Sequence, residues 1–169
     1  MSLVIEEGSV VEGASSYVGI AEVRAYATAR ASALPSDDAT LEAAIVRAAD
    51  YLESLGHSYK GDKADPLNQC LQWPRIFVDF NGVPFPPNVI PRELKSAQCQ
   101  AAIEAAGGLD LMPTGDGREV IHEKVDVIET DYSPGSSGGS PQPRLVKVLA
   151  ILSPLLRTSG FSCLQSTRV

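Results

Sequence analysis

The stretch Gln69-Cys70-Leu71-Gln72-Trp73-Pro74-Arg75 (QCLQWPR) contains the single tryptophan of this 169-residue chain. Tryptophan has a large apolar surface, so it usually anchors a core or an interface. Because the residue before a proline avoids the α region, Trp73 is predicted to lie on a loop rather than inside a helix. We therefore expect a structural anchor that orders this loop. Its predicted members are Tyr59, Trp73, Pro74 and Arg75.

Amphipathic patterns on both sides of this loop predict four helices. In the second predicted helix, apolar side chains recur at spacings of three and four residues. Asp37 and Asp38 precede them in the sequence and suit a helix N-terminus. Pro91 fits the first position of the third helix, and Pro154 should kink or tighten the end of the last. The predicted helices cover residues 20–32, 37–55, 91–106 and 143–157.

Two segments predict a small amount of β-structure. The Asn81-Gly82 pair between apolar residues is a strong hairpin signal, with strands predicted at 76–80 and 83–85. Residues 119–132 are rich in β-branched side chains and predict one long strand or two short ones. The following SPGSSGGSP stretch, residues 133–141, has the composition of a flexible surface loop.

These elements predict a mainly α fold, a four-helix bundle with a small β-hairpin or strand element and extended termini. The length suits one domain with a real core. We expect an extended N-terminal arm over residues 1–15, a single helical domain over 16–157 and a C-terminal tail over 158–169.

Composition argues against several classes of function. The net charge of −7 repels phosphate unless the few cations cluster, so free wrapping around nucleic acid is not expected. Cys70, Cys99 and Cys163 are far apart and are expected to be free buried thiols. We expect no signal peptide and no membrane segment, because no apolar run reaches about 18 residues.

The candidate catalytic and metal-binding residues form no recognisable pattern. His57 and His122 have no nucleophile arrangement that sequence can support, and the aspartates after residue 109 do not match a calcium loop. We therefore predict that the chain is not an enzyme and has no cofactor and no metal site. The four aromatic residues that could stack on bases are Tyr59, Trp73, Phe77 and Phe80, but a packed apolar anchor is the favoured interpretation.

A set of short segments has a characteristic order and spacing along the chain: Ser16-Tyr17-Val18, Arg47–Leu52, Tyr59-Lys60-Gly61, Gln69–Arg75, Asn81–Pro84, Val89–Pro91 with Leu94 and Ala97, Lys124-Val125, and Leu149 with Leu152–Leu156. In this order and spacing the chain resembles a family from tailed-phage structural operons. The family is labelled as DnaT-like single-stranded-DNA-binding proteins and is similar in organisation to head–tail connector, or adaptor, proteins, which implies a connector-like four-helix bundle. The resemblance covers roughly residues 1–157, and a departure is Asn81, where relatives often have Asp.

The connector resemblance implies a virion protein at the head–tail interface, synthesised in the host cytoplasm. It implies a dodecameric ring of this chain between the portal protein and a tail or stopper protein. Double-stranded DNA would pass through the channel without specific binding. The alternative that the resemblance implies is a DnaT-like single-stranded-DNA-binding replication accessory protein. The candidate subunit or portal interface comprises Arg144, Lys147, Arg157, Phe161, Leu164 and Arg168.

Overall fold

The computed structural model describes residues 3–80, 82–112, 120–124, 129–132 and 145–157. Four α-helices and three pairs of short antiparallel strands make up this part of the chain. The predicted loop at 133–141 and the predicted tail at 158–169 lie outside the described residues. The helices are α1 Ile20–Thr28, α2 Asp38–Ser54, α3 Arg92–Ala106 and α4 Val146–Leu152.

The predicted helices are all present, with corrected ends. Helix α1 ends earlier than predicted, because the chain turns after Thr28 and Ala31 adopts a left-handed conformation with φ 51°. Helix α2 begins where predicted, and the Asp37 carboxylate accepts a hydrogen bond from the Thr40 N–H at 2.8 Å. The proline in the last helix tightens its final turn into the 3₁₀ segment Ser153–Leu155.

Helix α3 is the centre of the helical part. Helices α1, α2 and α4 each pack against it, and buried alanines on both α2 and α3 allow their backbones to approach closely. Because the helices supply most of the buried apolar side chains, the mainly α class is confirmed. The finer description as a connector-like four-helix bundle stays a prediction, since α1 and α4 are short and both rest on α3.

The strands form three separate pairs. Strands β3 Asp79–Phe80 and β4 Val83–Pro84 are the predicted hairpin, shortened to two residues each. Strands β5 Val120–Lys124 and β6 Glu129–Tyr132 realise the option of two short strands in the β-branched segment. The pairing of β1 Asp62–Lys63 with β2 Arg75–Ile76 was not predicted from the sequence.

The N-terminal segment turns back on the core. Ile5 pairs with Ser16 in a parallel bridge. Glu6 is only 1% exposed, and its carboxylate accepts hydrogen bonds from the N–H groups of Gly8, Val10 and Val11 at 2.7, 3.1 and 2.7 Å. One buried carboxylate therefore satisfies the backbone of this turn. The division into an arm over residues 1–15 and a helical domain over 16–157 stays a prediction.

Gln98 on α3 fixes this N-terminal segment to the helices. Its side chain is fully buried, and its Oε1 accepts a hydrogen bond from the Tyr17 N–H at 2.9 Å. Its Nε2 donates to Ser16 Oγ at 2.9 Å and to the Ile45 carbonyl of α2 at 3.2 Å. A single amide therefore joins three parts of the fold.

Two of the three cysteines belong to the described residues, and their environments differ. Cys99 is buried on α3, but Cys70 is exposed on the loop, which corrects the expectation that the thiols are buried. Burial raises the pKa of the Cys99 thiol to about 12. No described helix is long and apolar enough to cross a membrane.

Candidate functional site

Trp73 lies at the centre of an aromatic cluster beneath the loop. It is 0% exposed, and the peptide bond to Pro74 is cis. The ring of Tyr59 meets it edge-on with centroids 6.0 Å apart, and Phe85 does so at 6.3 Å. Such edge-to-face contacts add to the stability that burial of the rings provides. Trp73 therefore packs inside the protein and offers no ring face to a ligand.

Hydrogen bonds link Trp73 to Tyr17, which precedes α1, and through Tyr17 to Glu53 of α2. The Trp73 N–H donates to the Tyr17 hydroxyl oxygen at 3.1 Å, and the Tyr17 O–H donates to Glu53 Oε1 at 2.5 Å. Burial raises the pKa of the Glu53 carboxyl above its ordinary value, although the bond from Tyr17 opposes this shift. Burial, followed by the nearby Glu53, also raises the pKa of Tyr17.

Arg75 is a buried cation whose guanidinium is hydrogen-bonded to backbone carbonyls and keeps its charge. It is 5% exposed, and its guanidinium donates to the carbonyl of Lys60 at 2.8 Å and to that of Gly61 at 2.7 Å. It also donates to the carbonyl and the side-chain oxygen of Gln72 at 3.3 and 3.1 Å. Burial lowers the pKa of this guanidinium. These hydrogen bonds stabilise the fold, because they join Arg75 of β2 to the residues that precede β1.

Gly61, which precedes β1, lies very close to the backbone of Ile76 in β2. Its φ of +66° favours glycine, and a Cβ atom there would lie 2.1 Å from the carbonyl oxygen of Ile76. Continuing the antiparallel register by one residue places Phe77 opposite Gly61. Phe77 is 81% exposed and has φ 58°, which is rare for a bulky residue. A large ring is thus held outside the core by an unfavourable backbone conformation.

Two guanidinium groups, those of Arg75 and Arg157, donate to the Gly61 carbonyl. The guanidinium of Arg157 donates to the Gly61 carbonyl at 3.3 Å, and its N–H donates to the Ser58 carbonyl at 2.7 Å. The N–H of Lys60 donates to the Leu155 carbonyl at 2.9 Å, so the end of the last helix is joined to this turn. We call this surface the Gly61 face. It comprises Lys60, Gly61, Lys63, Phe77 and Arg157. Asp62 and Asp79 adjoin it, and Glu53 lies close enough to Lys63 for their charges to interact.

The structure distributes the predicted site residues in different ways. The four anchor residues Tyr59, Trp73, Pro74 and Arg75 lie together and are all buried. Lys147 is exposed on α4, and Arg157 belongs to the Gly61 face. Among the aromatic candidates for stacking, Phe77 is exposed, whereas Tyr59 and Trp73 are fully buried. The remaining interface candidates Arg144, Phe161, Leu164 and Arg168 lie outside the described residues.

Sequence reasoning missed the link between Gly61 and Arg157, which are 96 residues apart. No local pattern could have placed the end of the last helix beside this glycine. In Lys60-Gly61-Asp62-Lys63, a glycine next to one lysine and two residues from another was the available signal for a turn with cationic neighbours. Within the described ranges, no cluster of three or more His, Cys, Asp or Glu side chains could hold a metal ion.

The fold and this face define a mainly helical protein with a locally cationic surface that carries an exposed aromatic ring. The family model described as "Putative DnaT-like ssDNA binding protein" matches residues 1–169, and the chain belongs to that family. No curated protein matches the chain, and no solved structure matches it.

Proposed function

We propose that this protein binds single-stranded DNA on the Gly61 face. Membership of a family described as DnaT-like single-stranded-DNA-binding proteins supports this proposal. The observation that carries it is that the Arg157 guanidinium donates to the Gly61 carbonyl, next to Lys60 and two residues before Lys63 in β1, on a chain whose net charge is −7. Phosphate neutralisation by such cations supplies most sequence-independent affinity for nucleic acids.

The acidity of the whole chain limits the affinity without excluding the activity. The backbone of DNA responds to charges within about a Debye length, roughly 10 Å at moderate salt, so the local sign matters more than the total. Asp62 and Asp79 adjoin the face and weaken its field. Arg75 lies beneath it and adds its positive charge to the three exposed or half-exposed cations. Weak, salt-sensitive binding is therefore expected.

The proposal is tested by fluorescence anisotropy with a labelled oligothymidylate over a range of salt concentrations. If three cations contact phosphates, the logarithm of the association constant should fall with a slope of about −2 against the logarithm of salt. Raising salt from about 50 to about 200 mM should then weaken binding roughly twenty-fold. A wild-type protein that binds no oligonucleotide at the lower salt would refute the proposal.

Charge-reversal variants locate the binding surface. Lys60→Glu, Lys63→Glu and Arg157→Glu should each weaken binding and make the salt slope shallower by about 0.7. Lys147→Glu is the matched control, because it makes the same charge change at an exposed position on α4. Equal losses in the control and the three site variants would mean that total charge, rather than this face, governs binding.

We propose a head–tail adaptor role as the second candidate function. Its support is a set of exposed apolar side chains, with Leu67 93%, Val146 74% and Val83 66% exposed. Such side chains are available for contacts with neighbouring subunits, which bury apolar surface. In this role the chain would form a ring of about twelve copies between a portal protein and a tail or stopper protein, around double-stranded DNA. Native mass spectrometry of the protein, alone and with portal rings, would test it, and a monomer that ignores portal rings would count against it.

A further inference from the structure

We propose that Phe77 is a base-stacking platform, so that the Gly61 face recognises unpaired bases as well as phosphates. This inference rests on the proposed single-stranded-DNA binding. It adds the chemical class that the site prefers, which is a strand whose bases are free to stack. Any base has a π-face, so the recognition would tolerate sequence and would discriminate against a closed duplex.

The first support is the position of the ring. Phe77 is 81% exposed, whereas the side chain of Val78 beside it is 2% exposed and belongs to the core. Among the described rings, the aromatic contacts join Tyr59, Trp73, Phe80 and Phe85 to one another, and Phe77 takes part in none of them. A ring held outside a well-packed aromatic cluster is free to receive a planar ligand.

The second support is the backbone that carries the ring. A non-glycine residue in the left-handed region has an energetic cost, and bulky residues are rarely found there. Phe77 nevertheless has φ 58°, and its carbonyl carbon lies only 3.1 Å from the position where a Cβ of Gly61 would stand. Strained conformations of this kind concentrate at ligand-binding positions. Asn or Gly would fit the conformation better, so the presence of Phe calls for a function of its side chain.

The third support is the arrangement of charge near the backbone that carries the ring. Gly61, which lies opposite Phe77, offers its carbonyl to the guanidinium groups of both Arg75 and Arg157. The ammonium group of Lys60 lies 3.5 Å from the carbonyl oxygen of Asp79, two residues beyond the ring. An aromatic platform flanked by cations is the combination that binds single strands, with rings for the bases and cations for the backbone.

The test compares Phe77→Leu with Phe77→Tyr, using two labelled probes of equal length. One probe is an oligothymidylate and the other is an abasic oligonucleotide, which keeps the phosphates and lacks the bases. Phe77→Leu should bind the oligothymidylate about ten-fold more weakly than the wild type, and the abasic probe equally well. Phe77→Tyr keeps the ring and should bind both probes as the wild type does.

Phe77→Asn separates binding from folding. Asparagine tolerates the left-handed conformation, so this variant should unfold at a higher urea concentration than the wild type while losing affinity for the oligothymidylate. Oligothymidylate binding by Phe77→Leu at wild-type affinity, with Lys63→Glu still impaired, would overturn the stacking inference and leave the proposed function standing. A wild-type protein that binds neither probe would overturn both the stacking inference and the proposed single-stranded-DNA binding. Loss of self-association in Phe77→Leu, with DNA binding intact, would instead assign the ring to an interface between copies of this chain.

Discussion

Replacing Gly61 by alanine should destabilise the protein strongly, because two separate costs add at this position. Gly61 has φ +66°, and placing a Cβ in the left-handed region costs about 1 kcal/mol or slightly more. The new methyl group would also lie 2.1 Å from the Ile76 carbonyl oxygen and 2.8 Å from Val78 Cγ2. The β1–β2 pair would have to open, and overpacking of this kind costs about 1–3 kcal/mol. The expected total is about 3 kcal/mol.

Gly13→Ala is the matched control for this experiment. Gly13 has φ +71°, but no atom of the described residues lies within 4 Å of the added Cβ, so only the backbone cost is expected. We expect a loss of about 1 kcal/mol for this control, which is roughly 2–4 °C in Tm for a chain of this size. Gly61→Ala should lower Tm by about 6–12 °C.

Urea denaturation followed by the fluorescence of Trp73 provides the assay. This residue is the single tryptophan and is fully buried, so its emission reports the opening of the anchor. The midpoint should fall in both variants with little change in the slope m, and the fall should be larger for Gly61→Ala. Equal midpoints for Gly61→Ala and Gly13→Ala would show that β1 and β2 do not approach as closely as the structure places them.

Three further predictions follow from the buried polar groups. Gln98→Leu should lower the free energy of unfolding by about 2–3 kcal/mol, because it leaves the Tyr17 N–H buried without an acceptor. Gln100→Leu on the same helix should lower it by less than about 1 kcal/mol, and the midpoints of urea denaturation compare the two variants. The pKa of the Glu53 carboxyl is raised in the folded protein above its ordinary value of 4.5. Between these two pKa values the folded protein therefore keeps a proton on Glu53 that the unfolded chain has lost. The free energy of unfolding of the wild type should therefore fall as pH rises through this window, relative to Glu53→Gln, and parallel urea titrations of both proteins from pH 4.5 to neutrality would check the sign. The Cys99 thiol, with a pKa of about 12, should react with iodoacetamide only on unfolding, while the exposed Cys70 reacts in the folded protein; peptide mass spectrometry distinguishes the two.

The helices were predictable because their signals are local. In α2 the capping Asp37 and the buried stripe of Leu41, Ile45, Ala48 and Leu52 lie within one stretch of sequence, and the structure keeps all of them in these roles. The burial of Trp73 similarly follows from the properties of one side chain. Local chemistry sufficed wherever a residue acts through its neighbours in sequence.

The Gly61 face could not be predicted, because its parts come from distant segments. The turn at Gly61, the strand end at Phe77 and Arg157 after the last helix meet only through tertiary contacts. The folded-back N-terminal segment was missed for a related reason. Glu6 looks like a solvated acid in the sequence, and only the structure reveals that it accepts three backbone hydrogen bonds.

The two proposed functions predict opposite effects of salt on binding at Phe77. A neighbouring subunit would cover Phe77 mainly by burying apolar surface, which added salt leaves unchanged or strengthens. A DNA strand would reach Phe77 only while its phosphates are held by Lys60, Lys63 and Arg157, and that hold weakens steeply as salt rises. Because these cations belong to the same face as the ring, an adaptor subunit would have to desolvate at least some of them on assembly, at a cost unless its neighbour supplies carboxylates. The net charge of −7 makes such carboxylates available on another copy of the chain. Self-association that persists at high salt would therefore favour the ring, and salt-sensitive capture of an unpaired strand would favour DNA binding.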